Sequence, residues 1–169
     1  MDTIIIGFSR PHKWKPYAWM ISKLWGTEYS HVYIRFYSKT YDRHMIYQAS
    51  HLSVNFTELN NFLTVNKIVK EFPIDICPTN KTKMMQFAID NASKPYGILS
   101  AIGLGIKQIA ACLGKKIKNP FADGKNTYIC CELAGVILEQ FTGADLGKDE
   151  DDLSPKDVYD YLAKKFAPK

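Results

Sequence analysis

Ser30-His31-Val32-Tyr33-Ile34-Arg35-Phe36-Tyr37 decides the fold, because two classes of residue alternate along it. Val32, Ile34 and Phe36 are apolar, whereas His31, Tyr33, Arg35 and Tyr37 carry polar groups. Successive side chains of an extended strand point to opposite faces, so the pattern predicts a half-buried strand with one apolar face and one polar face. Upstream, Thr3 to Phe8 is β-branched and apolar, as a buried strand would be, and ends at the turn signal Ser9-Arg10-Pro11. Between the two strands, Tyr17, Met20, Ile21, Leu24 and Trp25 recur at helical spacing from Lys15 to Trp25. Pro16 suits the first turn and Gly26 the end. Downstream, Lys39 to Arg43 reads as a hairpin loop, and His44 to Ala49 with Leu52 to Asn55 as further strands. The sheet is therefore expected to be antiparallel.

The second half is more helical. Thr57 to Leu63 predicts a short helix, Lys67 to Ile74 a strand, and Thr82 to Ala92 a helix with apolar positions at Met85, Ala88 and Ile89. Ile98 to Leu113 reads as a buried helix: Lys107 and Gln108 interrupt it, and it falls short of the roughly 20 residues that a membrane span needs. A loop from Gly114 to Asn126 leads to another helix, near Tyr128 to Phe141, with Gly143 as its C-terminal cap. The acidic run Asp149 to Asp152 reads as a solvated loop, and Ser154-Pro155 caps a last helix to Phe166. The expected class is α+β, as a single domain over residues 1–169.

Composition narrows the function. With 46% hydrophobic and 23% charged residues, the 169-residue chain is neither a disordered tail nor a coiled coil. A net charge of +5 suits anionic partners such as cell-wall polymer or lipid headgroups, but nucleic acid is not expected, since no motif of that class occurs. Met1 to Ser9 lacks the features of a secretory signal, so the expected location as synthesised is the cytoplasm. The cysteines at 77, 112, 130 and 131 form no Cys-x-x-Cys pair, which argues against a disulfide framework or a zinc site; no cofactor is expected.

The chemistry-bearing candidate is Cys130, in Tyr128-Ile129-Cys130-Cys131-Glu132-Leu133-Ala134 at a predicted helix start. The partial positive charge of a helix N-terminus stabilises a thiolate, and its free N–H groups suit the oxyanion of a tetrahedral intermediate. A nucleophile needs a base, and the candidates are His12, His31, His44 and His51. His31 is the best placed, because a strand is rigid enough to aim its imidazole at a helix terminus. A buried structural cysteine is the competing reading of Cys130. Glu132 either contacts the site or merely complements the helix dipole. The aromatics Trp14, Tyr17, Trp19 and Trp25, interleaved with Lys13, Lys15 and Lys23, are assigned to core packing ahead of lipid contact.

Taken together, Ser30-His31-Val32-Tyr33-Ile34, Ile46-Tyr47-Gln48-Ala49-Ser50 and Tyr128-Ile129-Cys130-Cys131-Glu132-Leu133 resemble the circularly permuted NlpC-type papain-like amidases, the YaeF/YiiX group. In that group the histidine strand precedes the cysteine helix. Asp2 to Ser9 and Pro95-Tyr96-Gly97 also look like the family. The resemblance implies a permuted papain-like fold with Cys130 as nucleophile, His31 as general base and Gln48 as the third member, where relatives often carry glutamate or histidine. Cys131 becomes a packing residue. Tyr96, just before the apolar helix, becomes a candidate substrate-binding residue. The implied substrates are cell-wall peptide amides or lipid-linked acyl esters, the latter by likeness to lecithin:retinol-type acyltransferases.

Small phage-encoded proteins also resemble this family, so a virion-delivered or lysis-released enzyme is one expectation. A binding or virion-assembly module on the same fold, with Cys130 chemically idle, is the alternative.

Overall fold

Ile4, Ile6 and Phe8 are fully buried because their strand lies inside a sheet and is covered on one face by a helix. The computed structural model describes residues 2–50, 52–121 and 126–167. Five strands, β1 (Asp2–Pro11), β2 (His31–Ser38), β3 (Arg43–Ser50), β4 (Ser53–Glu58) and β5 (Asn66–Ile76), form one sheet in the order β4-β3-β2-β1-β5. Every neighbouring pair is antiparallel. The helices are α1 (Pro16–Trp25), α2 (Leu59–Val65), α3 (Pro78–Asp90), α4 (Ile98–Cys112), α5 (Cys130–Thr142) and α6 (Pro155–Lys165), with a 3-10 turn at Glu150–Asp152. The class is mixed α+β.

The central layer is α5 on the sheet. Ten of its residues, from Cys130 to Leu138 and Phe141, are buried, in contact with Val32, Ile34 and Phe36 of β2 among the same cluster. Gly143 ends α5 at φ +70°, and Gly26 ends α1 at φ +62°, a left-handed conformation that glycine adopts without steric cost. Ser154 and Asp157 cap α6 reciprocally: the Asp157 N–H donates to Ser154 Oγ at 3.2 Å and the Ser154 N–H to Asp157 Oδ2 at 2.9 Å.

Several expectations are corrected. The second face of β2 is not a polar surface: Tyr33 is fully buried with Ile46 under Phe62 of α2, and its hydroxyl donates to Glu71, which is also paired with Arg35 at 2.7 Å. The helix expected from Thr82 begins at Pro78, with the Cys77 sulfur accepting from the Asn80 N–H. Its inward residues are Met84 and Ala88, whereas Ile89 is exposed. The acidic run is anchored, because Asp152 pairs with Lys107 at 2.8 Å and accepts the Asn119 N–H at 3.0 Å.

The largest correction concerns α4. It is not a buried helix: only Ser100, Gly103 and Leu104 face inward, and Ile98, Leu99, Ile102, Ile106 and Ile109 are exposed. Likewise Trp14, Tyr17 and Trp19 lie outside the core, and of that aromatic group only Trp25 packs against it. Apolar periodicity reports which side chains share a face, not what covers that face. Among the described residues, no helix is long and apolar enough to cross a membrane.

Candidate functional site

His31 is the first residue of β2 and pairs with Ser9. A β-bulge between Phe8 and Ser9 interrupts the register of β1 with β5 at that point. Such bulges bend and twist a strand locally and so redirect the side chains beside them. Across the sheet, His31 Nε2 lies 2.8 Å from Gln48 Oε1. An amide oxygen only accepts, so Nε2 carries the proton and Nδ1 is left for another partner.

Gln48 is in turn held by its neighbour on β4. Gln48 and Asn55 stand opposite each other, and Gln48 Nε2 donates to Asn55 Oδ1 at 3.3 Å. Asn55 Nδ2 donates to the Ser53 carbonyl at 3.0 Å. A fixed backbone acceptor thus sets the direction of Asn55, which sets that of Gln48 and then of His31. Asn55 is absent from the sequence-derived site, although the signal is there: a tight turn pairing Ser50 with Ser53 puts 48 opposite 55.

Cys130 opens α5 and is 5% exposed. Its thiol is held well below the ordinary range. The causes are hydrogen bonding from the Cys131 thiol, then hydrogen bonding and charge from the His31 imidazole and the Val32 N–H, all against the opposing effect of burial. Cys131 moves the other way, pushed well up by burial and by its hydrogen bond to Cys130. The two adjacent thiols are thereby shifted in opposite directions.

A cleft of about 650 Å³ adjoins this point, lined by His31, Gln48, Asn55 and Tyr96 and walled by Tyr17, Met20, Ile98 and Ile102 from α1 and α4. Cys130 is not among the lining residues, but its thiol interacts with the imidazole of His31, which is. Tyr96 is fixed through its backbone, its N–H donating to Leu52 at 2.9 Å and its chain bridging Tyr128. Burial first, and then the nearby Cys130, push its phenol well up, so it stays protonated and able to donate.

Glu132 is buried and does more than complement the helix dipole. It accepts the Ile129 N–H at 2.9 Å and the Ser100 hydroxyl, and Asn119 donates to Ser100 at 3.1 Å. Burial raises its carboxyl to about 7. The other histidines stand elsewhere: His12 Nε2 is 3.0 Å from the Leu63 carbonyl, and His44 packs edge-on against Tyr37. His51 lies outside the described residues.

The fold has a solved counterpart. The chain is similar to the crystal structure of the metalloprotein yiiX from Escherichia coli O157:H7, with a TM-score of 0.57 and 18% sequence identity, over 99% of this chain and 82% of that one. At that identity the likeness is one of fold. No family model matches the chain. No curated protein matches it either.

Proposed function

We propose that the protein is a cysteine hydrolase of the permuted papain-like kind, an amidase, peptidase or acyltransferase working through an acyl-enzyme. One observation carries the reading: Cys130 opens α5 and its thiol interacts with the imidazole of His31, whose Nε2 is fastened to Gln48 at 2.8 Å. In the proposed reaction the Cys130 thiolate attacks an amide or ester carbonyl. The resulting oxyanion is met by the first N–H groups of α5, which have no intrahelical acceptor. As the tetrahedral intermediate collapses, the carbonyl–heteroatom bond breaks and the His31 imidazolium gives its proton to the leaving amine or alcohol. His31 then takes a proton from water, which attacks the thioester, releasing the acid and restoring the thiol. If an alcohol or amine replaces water, the product is a transferred acyl group.

The fold's solved counterpart is described as a metalloprotein. Among the described residues of this chain, no group of three or more His, Cys, Asp and Glu side chains is placed to hold a metal ion. The donor set of the described residues does not fit a metal centre.

The reading is tested with p-nitrophenyl acetate. A burst of nitrophenolate equal to the protein concentration, with an acetyl mass on the Cys130 peptide that hydroxylamine removes, is expected. No burst, or acetylation shared among Cys77, Cys112 and Cys130, contradicts it. The near-complete burial of Cys130 favours a second reading, a binding or virion-assembly module in which the thiol is idle. The same experiment separates the two, because an idle thiol gives no burst.

A further inference from the structure

Two helices that contact each other, α1 and α4, leave apolar side chains in water on the wall of the cleft. Leu24 of α1 lies against Gly105 of α4. Outward from this contact, Ile98, Ile102, Ile106, Ile109 and Leu113 follow one another at spacings of three and four, a single stripe along α4. Ile109 is 53% exposed and Leu113 73%. On α1, Trp19 is 54% exposed and Met20 51%, and Trp14, just before the helix, is 73% exposed. Large apolar groups gathered in this way on two adjoining helices mark a surface made for a partner.

Charge identifies the partner. Residues 11–27 and 98–121 contain no Asp or Glu, although the chain has 17 of them. The same two stretches hold Lys13, Lys15, Lys23, Lys107, Lys115, Lys116 and Lys118. Lys107 and Lys118 are paired with Asp152 and Asp149. Lys13, Lys23, Lys115 and Lys116 are exposed, at the ends and rim of the apolar surface. Apolar and aromatic side chains flanked by four exposed lysines, with Asp149 and Asp152 engaged by Lys118 and Lys107, match the interfacial layer of a bilayer bearing anionic lipid: the hydrocarbon region takes the isoleucines and tryptophans, and the phosphates take the ammonium groups. A second copy of the chain offers no such match, since it would bring the same positive rim against itself.

We infer that the α1–α4 face docks on an anionic phospholipid bilayer and holds the mouth of the cleft at the membrane surface. Met20, Tyr17, Ile98 and Ile102 belong both to the exposed face and to the cleft wall. On the hydrolase reading, on which this one clause rests, the substrate is then an acyl group presented from the lipid layer.

The test is co-sedimentation of the full chain with vesicles of phosphatidylcholine alone or with about one third phosphatidylglycerol. The anionic vesicles are expected to bind at least about fivefold more protein, and high salt to reduce that binding. Trp19→Ser combined with Ile106→Ser and Ile109→Ser, all at exposed positions, is expected to lower binding about tenfold with an unchanged circular dichroism spectrum. Cys130→Ala is expected to bind like the parent chain, so that loss of docking and loss of chemistry are read separately. Equal affinity for both vesicle types, or full binding by the triple variant, overturns the inference. A dimer seen by light scattering that the triple variant dissolves, without vesicle binding, overturns it in favour of a second copy.

Discussion

His31 Nε2 and Gln48 Oε1 lie 2.8 Å apart across the sheet, and this contact fixes which imidazole nitrogen faces Cys130. A neutral amide in this position orients the ring but gives less support to an imidazolium than a carboxylate would. Gln48→Ala leaves a half-buried N–H without its acceptor, at a cost of about 1–3 kcal/mol. The expected result is a fall of about tenfold to a hundredfold in Cys130 acylation rate, with little change in melting temperature. Asn55→Ala, one step further along the chain of amides, is expected to give a smaller fall in the same direction. Stopped-flow nitrophenolate release measures both.

Gln48→Glu replaces the amide with a carboxylate at the same reach. An opposite charge stabilises the imidazolium. The alkaline limb of the acylation profile is therefore expected to move to higher pH, which a pH–rate series checks.

Glu132 supplies a stability signature. Its carboxyl is raised from 4.5 to about 7 in the fold, so the folded chain holds a proton there that the unfolded chain has released. The associated stability is complete below pH about 4.5 and is lost as pH rises through about 7, by an amount of about 3 kcal/mol. In a Cys130→Ala background, which removes the neighbouring titratable thiol, urea melts are expected to show this decline. Glu132→Gln, whose amide mimics the protonated carboxyl, is expected to flatten it.

Gly7 stands opposite Tyr33, and a Cβ added at Gly7 would meet the Tyr33 ring at 2.1 Å. Gly7→Ala must therefore displace a fully buried aromatic side chain that packs on Phe62, beside the His31 ring. Overpacking of this kind costs about 1–3 kcal/mol. A lower melting temperature is expected, with slower acylation, whereas Gly114→Ala, where a Cβ meets nothing within 4 Å, is expected to spare acylation.

Much of this was legible in the chain. Alternation in Ser30–Tyr37 places His31 on a strand, whereas Gln48 was named only through the family resemblance, and the observed pairing of β2 with β3 brings the two together. Helical periodicity locates α5 and its glycine cap to within two residues. Solvent contact was not legible. Ile98 to Leu113 has the composition of a core helix, yet its stripe faces outward, because periodicity is silent about what lies opposite. Asn55 escaped for a different reason: its function depends on a two-step relay of amides across strands, and only the pairing of Ser50 with Ser53 defines it.

The coupling of Cys130 to His31 is measured most directly by the pH dependence of iodoacetamide labelling, read at the Cys130 peptide by mass spectrometry. Cys77 and Cys112 serve as exposed comparison thiols in the same chain. An ordinary thiol gains reactivity around pH 8.5, so a lowered, imidazole-assisted thiol is expected to label at pH 6.5 at least about tenfold faster than in His31→Ala. A Cys130 rate that rises only above pH about 8 and is indifferent to His31→Ala, or a native Cys130 that does not label at all, would contradict the account.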